Sequence, residues 1–99
     1  NDSKYQEAES LFDKSLKEQQ DQKFTARATF WKAETDYNLT NYDDALIGFK
    51  QFAQQSVAST TTEFKNLDYN IAYTYFKQKN YDQALILHYF IRQSATDNE

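Results

Sequence analysis

The segment Asn41–Ile47 reads Asn-Tyr-Asp-Asp-Ala-Leu-Ile, and thirty-nine residues later Asn80–Ile86 reads Asn-Tyr-Asp-Gln-Ala-Leu-Ile, with one position changed. The echo extends upstream, where Ala33-Glu-Thr-Asp-Tyr37 matches Ala72-Tyr-Thr-Tyr-Phe76 and each alanine lies eight residues before its Asn. A fainter copy, Tyr5-Gln-Glu-Ala8, opens the chain thirty-seven residues before Ala45. Self-similarity with a period of roughly 20–50 residues marks chains whose units stack in a row, because one unit cannot bury its apolar face alone. Such a stack presents extended surface and suits binding better than enclosing a reaction.

The remaining composition narrows the possibilities. Ninety-nine residues suit one small domain with a modest core, and eight Tyr, eight Phe and Trp31 argue for burial rather than disorder. A net charge of −4 disfavours nucleic acid, whose phosphates need a basic footprint. No apolar run approaches the roughly eighteen residues of a membrane span. There is no Cys, hence no disulfide framework and no thiolate chemistry. The absence of Met predicts that an initiator, and with it any signal peptide, has been removed or left out. With no Pro and a single Gly, Gly48, long helices joined by short polar turns are expected.

Helical periodicity places five segments. The first runs from about Lys4 to Gln19, with Ala8, Leu11, Phe12, Ser15 and Leu16 at helical spacing and a Ser3/Gln6 capping box. The polar stretch Gln19–Lys23 is expected to turn. The second helix covers Phe24 to Leu39, and Asn41 is expected to cap a third from Tyr42 to Gln55, with Asp43 and Asp44 in its first turn. After the connection Ser56–Thr62, a Thr60/Glu63 capping box starts a fourth helix over Thr61–Lys79. Asn80 with Gln83 caps a fifth helix running to about Ala95, leaving Thr96–Glu99 frayed. Gly48, mid-helix, costs about 1 kcal/mol relative to Ala, which close helix approach would offset; a hinge is the alternative.

On these residues the chain resembles the tetratricopeptide repeat (TPR) family, which keeps a small residue late in helix A and another early in helix B with an aromatic four later. Ala33 and Ala72 match the first site; Ala45 and Ala84 match the second, followed by Phe49 and His88; Ala8 and Phe12 repeat the second pair. The match implies an all-α, right-handed superhelix of about five antiparallel helices. Residues 1–22 would be helix B of a first repeat, with repeats over 24–57 and 61–96. The chain departs from the pattern in lacking the closing Pro, and its spacings exceed the usual repeat of about thirty-four. Phe52 and Ile91 stand where Ala is common, as in TPR proteins of the bacterial envelope such as outer-membrane-assembly lipoproteins and Tol–Pal accessory proteins. That likeness implies a periplasmic or envelope setting.

The resemblance also implies a function, a scaffold or adaptor that binds a peptide or protein segment in a concave aromatic groove. The groove-facing residues would be Arg27, Phe30, Glu34, Tyr37 and Asn38 in one repeat, and Asn66, Tyr69, Tyr73, Phe76 and Lys77 in the next. Tyr69, Tyr73 and Phe76 share one helix face by spacing alone, and such rings anchor partners by burying large areas at low entropy cost. For Phe30 and Phe76 the competing reading is packing against the neighbouring A helix. A carboxylate clamp is not expected, because its sites hold Phe30, Glu34, Tyr69 and Tyr73.

No catalytic, metal or cofactor site is expected. His88, the single His, has no partner at ligand or triad spacing and falls on the repeat's packing position. Asp43 and Asp44 are adjacent, so they point about 100° apart on a helix and form no acid/base pair. The alternative function is structural self-association. The last helix reads Leu85-Ile-Leu-His-Tyr-Phe-Ile91, apolar nearly all round, and expects cover on more than one side. Ile86, Leu87, Tyr89 and Phe90 would then meet a following repeat or a second copy.

Overall fold

The structure, a computed structural model, describes residues 2–97, and all its regular elements are helical. Helix α1 spans Asp2–Asn38, α2 Tyr42–Gln54, α3 Leu67–Lys77 and α4 Tyr81–Asp97. Two short 3-10 turns, Ala58–Thr60 and Thr62–Asn66, join α2 to α3. No described helix is long and apolar enough to cross a membrane.

The expected turn at Gln19–Lys23 does not occur, so two anticipated helices are one of 37 residues, and the described residues hold four α-helices where five were expected. The stretch is polar but contains no Gly or Pro, and Gln and Lys propagate a helix nearly as well as Ala. The apolar register also runs through it. Ala8 and Ala26, like Phe12 and Phe30, are eighteen residues apart, about five full turns, and so share a face. Only the later half of that stripe is covered. Ala26, Phe30 and Ala33 are buried, whereas Phe12 is 70% exposed and every described side chain up to Thr25 is exposed. The molecule is accordingly elongated, 64 × 36 × 15 Å.

The core sits where α1 meets α2. Phe30 stacks edge-on against Phe49 and Phe52, with ring centroids 5.4 and 5.2 Å away. Ala33 and Ala45 are fully buried beside them, small enough to let the two backbones close up. Tyr37 and Tyr42 meet at the top of this antiparallel pair, 5.5 Å apart. Helix α3 then lies in the notch between α1 and α2, parallel to α1. It buries Leu67 and Thr74, half-buries Ile71, and exchanges polar contacts with both walls. Asn70 Nδ2 donates to Glu34 on α1 at 2.5 Å, and Gln78 Nε2, just past α3, donates to Asp43 on α2 at 2.6 Å. Helix α4 returns along α3.

The internal repeat is visible in the backbone. Thr40 and Lys79, thirty-nine residues apart, both adopt φ of 65°. The N–H of Asn41 reaches the Asp36 carbonyl at 2.8 Å, and that of Asn80 reaches Tyr75 at 2.8 Å. These are left-handed C-caps that close the α1 and α3 carbonyls and start the next helix. Asn41 therefore serves by its backbone; its side chain makes no cap hydrogen bond. The other expected boundaries shift as well. Ser3 lies inside α1, which begins at Asp2. The α-helix anticipated from Thr61 starts at Leu67, because Thr61 is extended and Glu63 is drawn sideways to α1. Helix α4 continues to Asp97, past the expected end at Ala95, and the remainder of the expected frayed end, positions 98 and 99, lies outside the described residues.

Candidate functional site

A cavity of about 660 Å³ runs along the outer side of the α3–α4 pair. Tyr69, Tyr73, Phe76 and Lys77 line it from α3, and Leu85, His88 and Ile91 from α4. Ala72 and Ala84 form a narrow floor, and Tyr37 closes one edge. Tyr73 is 58% exposed and Leu85 69% exposed, so large apolar side chains stand open to solvent here. The Phe76 ring packs edge-on against Tyr81 at 5.5 Å, which fixes the upper end.

Why the groove has this form follows from the repeat. Moved forward thirty-nine residues, Phe30, Ala33, Tyr37, Ala45, Phe49 and Phe52 become Tyr69, Ala72, Phe76, Ala84, His88 and Ile91. The first six make the wall on which α3 sits, and the second six all line the groove. The α3–α4 pair thus presents again the helix seat that α1 and α2 form for α3, with nothing in it.

Of the ten residues expected to face a groove, four line this cavity from α3: Tyr69, Tyr73, Phe76 and Lys77; Tyr37 joins them, half-buried against Tyr42. Phe30 does not line this cavity. It is 3% exposed at the centre of the core, because Ala33 one turn on lets α2 bring Phe49 and Phe52 onto its ring. Glu34 is spent on the seam with Asn70, and Arg27 on Glu63. Asn38 is exposed and lines no described cavity, while Asn66 lines a second depression with Phe30, Trp31, Glu34 and Glu63. The α4 side, with Leu85, His88 and Ile91, was absent from the expectation. Translating Phe49 and Phe52 by one repeat would have found it.

Glu63 is a perturbed carboxylate. It is buried, and Arg27 Nε donates to it at 2.8 Å, Trp31 Nε1 at 3.1 Å and Thr62 Oγ1 at 3.0 Å. Burial alone would raise its pKa. The donors, its own backbone N–H included, outweigh that and hold it at about 2, below the ordinary 4.5. This ion pair ties the connection before α3 to α1 and lies outside the groove. Among the described residues no cluster of His, Asp or Glu could hold a metal ion. Compared with family models, curated proteins and solved structures, the chain matches none.

Proposed function

We propose that this chain is a protein-interaction module that receives a helical segment of a partner in the groove between α3 and α4. The observation that supports this is the vacant repeat of the α3 seat, because a surface shaped like one that already holds a helix suits another. Its apolar walls supply the burial that drives helix-in-groove recognition, and the two-alanine floor lets the guest backbone come close. The reading keeps the TPR-like scaffold role implied by the repeat, with a right-handed stack and no chemistry of its own. It narrows the guest from a peptide or protein segment to an amphipathic helix.

Selection of displayed random peptides against the dilute protein tests the reading. Enriched sequences should carry apolar residues at i, i+3 or i+4, and i+7, and Tyr73→Asp should abolish their binding while leaving the helical circular dichroism intact. Peptides without that periodicity, or binding indifferent to Tyr73→Asp, would overturn it.

A further inference from the structure

We propose that the groove is filled by the N-terminal half of α1 from a second copy, so that the chain associates head to tail. The inference rests on the groove being a helix seat and adds what occupies it. The chain carries both complementary parts, each unpartnered. One is the vacant seat on α3–α4. The other is the amphipathic stretch of α1 before residue 20, whose Leu11 and Phe12 are 68% and 70% exposed.

The stretch has the pattern of the helix that fills the equivalent seat. Fifty-nine positions before Leu67, Ile71, Thr74 and Gln78 stand Ala8, Phe12, Ser15 and Gln19. The spacing is the same, the buried hydroxyl is kept, and so is the terminal Gln. Thr74 is fully buried because its Oγ1 donates to the Asn70 carbonyl one turn back at 2.6 Å, a bond that Ser15 can make to Leu11.

Contacts between guest and wall also transpose in matched pairs. The Gln78–Asp43 hydrogen bond becomes Gln19 with Asp82, polar on both sides. The Asn70–Glu34 hydrogen bond becomes Leu11 with Tyr73, apolar on both sides. The Lys50 ammonium over the Tyr75 ring becomes Tyr89 beside Leu16, again apolar on both sides. In these three pairs, where one member loses its polar group, so does the other. Helix α1 continues past Gln19, and the second copy's own chain returns to it at Asp21–Thr25, beside Gln55–Val57. Each copy then offers one helix and one seat, a heterologous contact that grows without closing.

Light scattering on the full chain and two variants tests this. Phe12→Asp spoils the helix side and Tyr73→Asp the groove side; both side chains are exposed, so the fold should survive, as circular dichroism would verify. The wild type should gain mass steadily with concentration, each variant alone should be monomeric, and an equimolar mixture should stop at a one-to-one dimer. Should either substitution unfold the chain, Leu11→Asp and Leu85→Asp serve the same roles. A monomeric wild type at millimolar concentration, a variant that still self-associates, or a mixture that stays monomeric would overturn the proposal. If Phe12→Asp still binds the selected helical peptides while the wild type does not associate, only the occupant is wrong; if no such peptide is selected, the groove reading itself fails.

Discussion

Gly48 of α2 faces Ala33 of α1 so closely that a methyl group at position 48 would lie 2.8 Å from the Ala33 Cβ. The glycine in mid-helix is thus a packing residue. In an exposed helix Gly→Ala gains about 1 kcal/mol, but here the added carbon meets a rigid side chain, and overpacking of a core costs roughly 1–3 kcal/mol. Gly48→Ala is expected to lower stability by about 1 kcal/mol in urea titration. Ala33→Gly in the same chain should recover part of the loss, giving a favourable coupling in a double-mutant cycle.

Thr40 and Lys79 occupy the left-handed C-cap that favours glycine, and a β-branched side chain is strained there. Thr40→Gly should raise stability by about 1 kcal/mol, and Lys79→Gly by less, because Lys lacks the second branch. Thermal unfolding of the two variants is the check, with the larger rise at Thr40.

The Glu63 carboxyl has a folded pKa of about 2, below the ordinary 4.5. Its contribution is therefore fully present above about pH 4.5 and is lost as the pH falls towards 2. Arg27→Ala should cost roughly 1–2 kcal/mol at neutral pH, leaving Trp31 and Thr62 as donors, and the gap from wild type should close across that window. A gap that does not vary with pH would assign the Arg27 effect to its packing.

Much of the fold is legible in the residues. The paired phrases at Asn41 and Asn80 locate both tight turns, and Ala33, Ala45, Phe49 and Phe52 mark the core because small and aromatic residues alternate at helical spacing. The polar run Gln19–Lys23 misleads, since polarity lowers the demand for burial without breaking a helix. Phe30 misleads differently: its assignment to a groove came from the resemblance, whereas the facing pair Phe49 and Phe52 decides that it is core. Half of the groove was readable in Tyr69, Tyr73 and Phe76. The α4 half was not, because the last helix is apolar all round and its pattern does not say which side forms a wall.

Ala45 and Ala84 hold equivalent positions in the two repeats, yet one is enclosed by α1 and α2 while the other floors the open groove. Ala45→Leu should cost roughly 1–3 kcal/mol through overpacking. Ala84→Leu should cost clearly less and should block helix binding by filling the floor. Equal losses of stability would mean that the groove floor is as closed as the core.

The central claim, that the α3–α4 groove holds a helix as the α1–α2 notch holds α3, meets its most direct measurement in disulfide trapping, which the absence of native Cys makes clean. Gln78→Cys with Asp43→Cys in one chain is the internal reference for the yield, since the wild-type side chains hydrogen-bond across the α1–α2 notch. Gln19→Cys in one copy mixed with Asp82→Cys in another should give a heterodimer under mild oxidation, while Lys17→Cys, on the opposite face of α1, should not. Equal trapping of Asp82→Cys by Gln19→Cys and Lys17→Cys, or none by either, would contradict the account.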